Sequence, residues 1–237
     1  KKRNGQIINI GFSFHGIKEQ FVKLVDAYDW DFCQIQYNYL DENNQAGTDG
    51  LTYAASKGLP IIIMEPLRGG KIVNALPKEL TEMWANAQPK RSIAEWALRW
   101  VWNHPEVTLL LSGMSAEDQL EENLRIASDA LPNAFSEQEE AYFVQANKIL
   151  AEKMKVNCTA CGYCMPCPAG VDIPGCFSMY NEKYMLGTKH LKMLYMQNTG
   201  AVTAHPAYAS LCVKCGKCEK HCPQQIPIRE KLKDVVS

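Results

Sequence analysis

Nine of the ten cysteines lie beyond residue 157, and eight of those form two groups of four. Cys212, Cys215, Cys218 and Cys222, with Pro223 directly after, follow the spacing C-x2-C-x2-C-x3-C-P. Three thiols at intervals of three residues let one tight loop wrap three irons of a cubane, and a fourth ahead of proline completes a [4Fe-4S] ligand set. Cys158, Cys161, Cys164 and Cys167 open in the same way and also end on a proline, Pro168, but with two residues rather than three before the fourth thiol. The eight together predict two [4Fe-4S] clusters.

The second group matches the bacterial ferredoxin run without deviation, and in two-cluster ferredoxins the fourth cysteine of each run ligates the other cluster. On that rule one cluster takes Cys158, Cys161, Cys164 and Cys222, and the other takes Cys212, Cys215, Cys218 and Cys167. The shorter last interval of the first run leaves Cys176 as a substitute ligand. The alternative is a pair of structural zinc sites of four cysteines each, since zinc also accepts C-x2-C pairs. A third cysteine at the same interval is wasteful for zinc and useful for a cubane. Helical segments predicted over 176–184 and 189–197 separate the runs, so residues 151–237 resemble an α-helical ferredoxin-type domain.

Residues 1–150 must position whatever else the chain does. Strands are predicted over 7–12, 32–36, 60–64 and 108–111, with helices over 19–28 and 49–57 between them. A glycine-containing loop at 66–70 follows the third strand. Ser92 with Glu95, and Ser136 with Glu139, make capping-box patterns at two helix starts, and Ser115 caps a helix to about residue 130. The last helix runs through residue 153. Four strand-helix units imply parallel strands, because each helix returns the chain to begin the next strand. The fold class is therefore α/β: the C-terminal half of a (β/α)8 barrel, or else an open four-stranded sheet. Half a barrel has two bare edges, so the chain is expected to be the C-terminal portion of a longer protein, with the N-terminal half of the barrel as its partner, or else to have those edges covered by something else.

Cysteines so clustered point to metal in a reducing, cytoplasmic setting rather than to disulfides. No secretion signal is read at the N-terminus, and no apolar run approaches the ~20 residues that span a bilayer. Residues 1–150 hold 14 Lys/Arg and 20 Asp/Glu, and the remainder 11 and 6, hence -6 and +5. Each oxidised cluster with its thiolates carries about two negative charges, so the basic excess balances the metal centres and nucleic acid is not expected as a partner.

Ile10-Gly-Phe-Ser-Phe-His15, Cys33-Gln-Ile-Gln-Tyr-Asn-Tyr39, Met64-Glu-Pro-Leu-Arg-Gly-Gly70, and Ser112-Gly-Met-Ser115 with Asn123 resemble the second half of an aldo/keto reductase. The cysteine tail resembles the ferredoxin-type domain that a subgroup of that family carries. The resemblance implies a nicotinamide cofactor at the C-terminal face of the strands. Ser13 and Gln34 would hold the carboxamide, with Phe14 in place of the family's Asn and Met64 where an aromatic ring stacks on the nicotinamide. Glu65, Pro66, Leu67 and Arg68 would form the loop over the pyrophosphate. Gly113 and Ser115 would hold the adenosine phosphate, with Asn123 at the adenine. Gly113 and Gln119 stand where NADP-preferring members carry basic residues, so the cofactor is NAD(P)H with NADH admitted. The family's catalytic residues come from the first four units, and none is assigned here. Tyr37, Tyr39 and His15 match no catalytic motif, and Cys33 reads as a buried strand residue.

Two functions compete. The first is an iron-sulfur oxidoreductase of aldo/keto reductase type acting on a small carbonyl or alcohol, with this chain inactive alone. The second is a non-catalytic ferredoxin-like electron carrier whose barrel part docks a redox partner protein.

Overall fold

The computed structural model describes residues 1–16, 18–158, 160, 162–187, 191–200, 205–222 and 224–236. It divides into two compact units, Lys1–Asn147 and Lys148–Ser237.

The first unit contains β1 (Gly11–Phe14), α1 (Lys18–Asp26), β2 (Phe32–Gln36), α2 (Gly47–Ser56), β3 (Ile61–Met64), α3 (Lys71–Asn74), α4 (Lys78–Asn86), α5 (Ile93–Trp102), β4 (Leu109–Leu110) and α6 (Glu117–Asp129), and α7 (Glu137–Lys153) runs on past its end. The strands pair in parallel in the order β1-β2-β3-β4. Each crossover thus steps in one direction, as consecutive barrel strands do. A doubly wound sheet reverses direction at a switch point.

Alternation assigns the two faces of the sheet. Cys33, Ile35, Ile61 and Ile63 are buried, and Phe12 and Phe14 meet Phe21 of α1 at ring-centroid distances of 6.0 and 5.1 Å. On the opposite face Ser13, Gln34, Ile62 and Leu109 form one register row.

The first strand begins at Gly11, four residues later than the predicted 7–12. Ile8 is 84% exposed, and the peptide groups of Ile10 are taken by Asp31: its carboxylate accepts from the Ile10 N–H at 2.7 Å, and its own N–H donates back at 2.9 Å. Gly11 packs so closely that a Cβ there would lie 2.5 Å from the Phe32 carbonyl oxygen. The apolar run before it has no partner strand among the described residues. At the fourth strand, bonds from Thr108 N to Ile61 O and from Leu111 N to Ile63 O carry the ladder across the predicted 108–111.

The caps divide. Ser136 and Glu139 close a full box, Oγ accepting from Glu139 N at 3.3 Å and the carboxylate from Ser136 N at 2.8 Å. Ser92 Oγ accepts from Glu95 N at 2.9 Å, but the Glu95 carboxylate turns instead to arginines. Ser115 does not cap α6. Ala116 stands at the cap without a side-chain bond, and Ser115 N donates to Gln119 Oε1 at 3.1 Å.

Glu95 joins three helices. Only 6% exposed, it accepts from Arg99 Nε at 2.8 Å and from Arg125 of α6 at 2.5 Å. Arg91, just before α5, lies 3.9 Å from the same carboxylate and 2.6 Å from Glu139 of α7. Burial opposes the charge on Glu95, but the hydrogen bonds from Arg125 and Arg99 outweigh it and hold the carboxyl below its ordinary pKa.

In the second unit α8 (Ile173–Met185), α9 (Leu191–Asn198), α10 (Lys217–Lys220) and α11 (Ile228–Val236) surround a small core. Val156, Val171, Ile173, Phe177, Ile228 and Leu232 are buried there, with cysteine side chains packed against them. The α8 helix starts three residues before the predicted 176. Asp172 caps it, accepting from Gly175 N at 3.0 Å, and Pro174 sits in its first turn, where a missing N–H costs nothing. Of the helix predicted over 189–197, residues 189 and 190 lie outside the described residues. Asn181 of α8 accepts from Lys155 N and Val156 N and donates to Val156 O, fixing the approach to Cys158.

Replacing Glu95 by Gln removes the buried charge that half-buried Arg91 and Arg99 and exposed Arg125 share and is expected to cost about 2 kcal/mol. Because its folded pKa is depressed, this stability is present above the unfolded value of about 4.3 and is lost as pH falls through the folded one. All five tryptophans lie in the first unit. Urea unfolding followed by tryptophan fluorescence from pH 7 downward should show the wild-type advantage over the Glu95→Gln variant vanish in acid.

Candidate functional site

Two small hollows in the second unit are lined by thiols. Cys167, Cys212, Cys215 and Cys218 share one, and Cys158, Cys164 and Cys222 share the other. Cys161 lies outside the described residues. Each hollow therefore joins the fourth cysteine of one run to the opening cysteines of the other, and Ile173 stands in the wall of both.

The backbone repeats between the runs. Ala160 and Lys214 have φ of 54° and 58°, and Gly162 and Gly216 of 77° and 72°. Left-handed residues in such loops gather backbone N–H groups on the concave side, an anion cradle. The guanidinium of Arg229 packs beside Gly216, its atoms 3.5–3.6 Å from where a Cβ would stand. Arg229 grips Glu219 through contacts of 2.7 and 2.9 Å and lines the Cys212 hollow.

The donor set suits iron-sulfur chemistry: among the described residues neither hollow is lined by a carboxylate or an imidazole. No three described His, Cys, Asp or Glu side chains stand close enough to hold a single ion. A cubane interposes irons and sulfides between its thiolates and requires a wider frame.

Cys176 lines neither hollow. It is buried, with its Sγ 3.5 Å from the Tyr195 hydroxyl and 3.7 Å from the Ala207 carbonyl oxygen, so it is a core thiol and not a substitute ligand. Burial pushes its pKa up to about 11 and that of Cys33, on β2, to about 12.

In the first unit a cavity of about 450 Å³ lies beyond the C-terminal ends of β3 and β4. Glu65, Pro66 and Leu67 form one wall, and Gly113, Ser115, Gln119 and Asn123 another. Asn123 Nδ2 donates to Ser112 Oγ at 2.9 Å, pinning the loop after β4 to α6. Arg68 is not in this cavity; its Nε lies 3.5 Å from Asp41. Ser13 and Gln34 are also outside it, as register partners on the sheet face opposite the helices. Gln34 Nε2 lies 3.4 Å from Met64 Sδ, joining two of the predicted positions.

Glu122 lines the cavity too and was missed by sequence reasoning. Its signal was helical spacing: three residues beyond Gln119 and next to Asn123, it shares their face. Tyr37 is buried on the helix side, bonded to Thr48 at 2.8 Å and His104 at 3.3 Å, and Tyr39 is buried against Trp84 and Phe143.

Residues 1–142 match the aldo/keto reductase family, and residues 157–226 match the 4Fe-4S dicluster domain. The chain belongs to the aldo/keto reductase family. Its fold is similar to that of aldo-keto reductase AKR11C1 from Bacillus halodurans. The holo form aligns with a TM-score of 0.50 at 19% identity over 61% of this chain and 51% of that one. The apo form gives the same score and identity over 52% of its length. This chain thus spans about half the length of those structures. No curated protein matches it.

The chain thus joins an aldo/keto reductase part to a 4Fe-4S dicluster domain. Among the described residues no helix is long and apolar enough to cross a membrane.

Labelling of the native chain with iodoacetamide, mapped by peptide mass spectrometry, should leave Cys33 and Cys176 unmodified until denaturant is added, since burial removes both access and thiolate. Cys176→Ala should retain the iron and sulfide of the parent chain while lowering its stability by about 1 kcal/mol.

Proposed function

We propose that this chain is the C-terminal part of a nicotinamide-dependent aldo/keto reductase that interconverts a small carbonyl compound and its alcohol and carries two [4Fe-4S] clusters in its tail. The first unit is the second half of a (β/α)8 barrel, and four further strand-helix units supply the proton donor and close the sheet edges. The observation that carries this reading is the cavity at the C-terminal ends of β3 and β4, the end at which parallel α/β folds bind ligands. It draws seven of the ten proposed dinucleotide positions together.

In this reading Ser13 and Gln34, adjacent in one row, hydrogen-bond the carboxamide. Met64, touched by Gln34, packs on the nicotinamide ring. Glu65 to Leu67 cover the pyrophosphate. Because Arg68 is engaged by Asp41, the loop contributes peptide groups there rather than a guanidinium. Gly113 and Ser115 at the start of α6 receive the adenosine phosphate, and Asn123 meets the adenine.

Charge favours NADH. Glu117 and Asp118 occupy the first turn of α6, and Glu122 lines the cavity. No lysine or arginine does so among the described residues. A 2'-phosphate would meet carboxylates instead of the cations it needs. Gln119→Arg is expected to tighten NADPH about tenfold, or ~1.4 kcal/mol, with little change for NADH, in fluorescence titrations of the chain with each cofactor. Equal response of both cofactors would remove the assignment of this cavity to the adenosine end.

The tail holds one cluster on Cys158, Cys161, Cys164 and Cys222 and the other on Cys167, Cys212, Cys215 and Cys218, a grouping supported by the two hollows. Such thiolate sites suit a reducing, cytoplasmic setting. Anaerobic preparation should yield about eight iron and eight sulfide per chain. Cys167→Ala should lower the iron content and leave the reduced EPR signal of a single cluster without magnetic coupling. Stoichiometric zinc without sulfide would defeat the cluster assignment.

The carrier reading keeps one support: Ser115 N–H is already bonded to Gln119, so the cavity answers part of its own polarity. The complete barrel decides between the two. Turnover of an aldehyde with NADH establishes the reductase, whereas clusters reducible by dithionite but never by NADH, without turnover, establish the carrier.

A further inference from the structure

The second unit also contains a cavity of about 510 Å³ that uses none of the cluster cysteines. That volume lies in the range of small-molecule sites. Tyr180 and Met179 of α8, Tyr195 and Met196 of α9, and Tyr208 give it flat and polarizable walls. Lys183 and Lys192 also line it, and among the described residues no carboxylate does.

Tyr195 is held in place from behind. Its hydroxyl accepts from Ala209 N at 2.8 Å and lies 3.5 Å from Cys176 Sγ, so the phenol tip belongs to the core and the ring remains as wall. Two lysine side chains at an apolar, aromatic cavity favour an anion, and Lys183, whose Nζ lies 5.4 Å from the Tyr184 ring centroid, would swing from that ring to meet it. Tyrosine rings and thioethers call for a flat ring system beside it, since ring faces stack and sulfur packs favourably on aromatic edges. Neither feature alone selects a ligand. Together they exclude a cation and disfavour a flexible polar molecule.

We propose that this cavity binds a planar aromatic anion of the size and charge of flavin mononucleotide, with its phosphate at Lys183 and Lys192 and its ring system among the tyrosines. The position is pertinent to the clusters. Phe177 lines the Cys158 hollow and Tyr180 lines this cavity; three residues along α8 separate them by about 4.5 Å of helix rise. The binding site lies wholly within the second unit and stands whether or not the first unit binds a dinucleotide.

The test is a titration of the complete chain, its clusters assembled anaerobically, with flavin mononucleotide, read as loss of flavin fluorescence. Saturable binding of one flavin per chain is expected, unchanged by saturating NADH and weaker for riboflavin, which lacks the phosphate. Joint replacement Lys183→Gln and Lys192→Gln should weaken binding about tenfold. Met196→Trp, which fills the cavity from a half-open position, should abolish it. Iron and sulfide content and far-UV circular dichroism establish that each variant is folded. Absence of saturable binding, or binding indifferent to both variants, overturns the proposal. Competition by NADH would do the same, by assigning the flavin to the first unit, and a preference for laurate over the flavin would replace the planar ligand by an aliphatic one.

Discussion

Parallel strand pairing is the constraint from which most of the first unit follows. Parallel neighbours cannot be joined by a tight turn, so a crossover must intervene and its helices must pack on the sheet. The order β1-β2-β3-β4 keeps every step in one direction. Cys33, Ile35, Ile61 and Ile63 consequently turn to one face, and Ser13, Gln34, Ile62 and Leu109 to the other. All-parallel sheets are ordinarily covered on both faces. Here Ser13 and Leu109 remain exposed, which suits a face completed by further strands. The same constraint puts the loops after β3 and β4 at one end, where they form a single cavity.

A buried charge then fixes the helix that carries half of that cavity. Glu95 on α5 takes Arg125 of α6, while Arg91 runs to Glu139 of α7. A carboxylate this far from water persists only when paired. The position of Gln119, Glu122 and Asn123 therefore depends on an ion network made by Arg125 of the same helix.

The second unit solves a different problem. Among the described residues its core is built from Val156, Val171, Ile173, Phe177, Ile228 and Leu232. Two runs of cysteines, with 44 residues between Cys167 and Cys212, converge on shared hollows. Ile173 in both walls and Arg229 beside Gly216 complete this frame.

The sequence by itself determined the eight thiols and the parallel character of the sheet, because ligand spacing and the alternation of strands with helices are local patterns. It also located β2 to the residue and β3 to within one, since their apolar runs are bounded by turns and buried on one side. Tertiary structure alone decided the rest. Isoleucines at 7, 8 and 10 read as a strand, but pairing begins only where Gly11 can approach Phe32. Ser92 and Glu95 read as a box, yet Arg91 and Arg99, one helical turn away on either side, and Arg125, 30 residues on, claim the carboxylate. Arg68 reads as an anion ligand until Asp41, 27 residues earlier in the chain, takes it. Cys176 reads as a spare ligand until burial against Tyr195 makes it core. In each case at least one deciding partner comes from another element of the fold. Spacing specifies which side chains can act together, whereas burial and charge pairing across the fold determine which of them do.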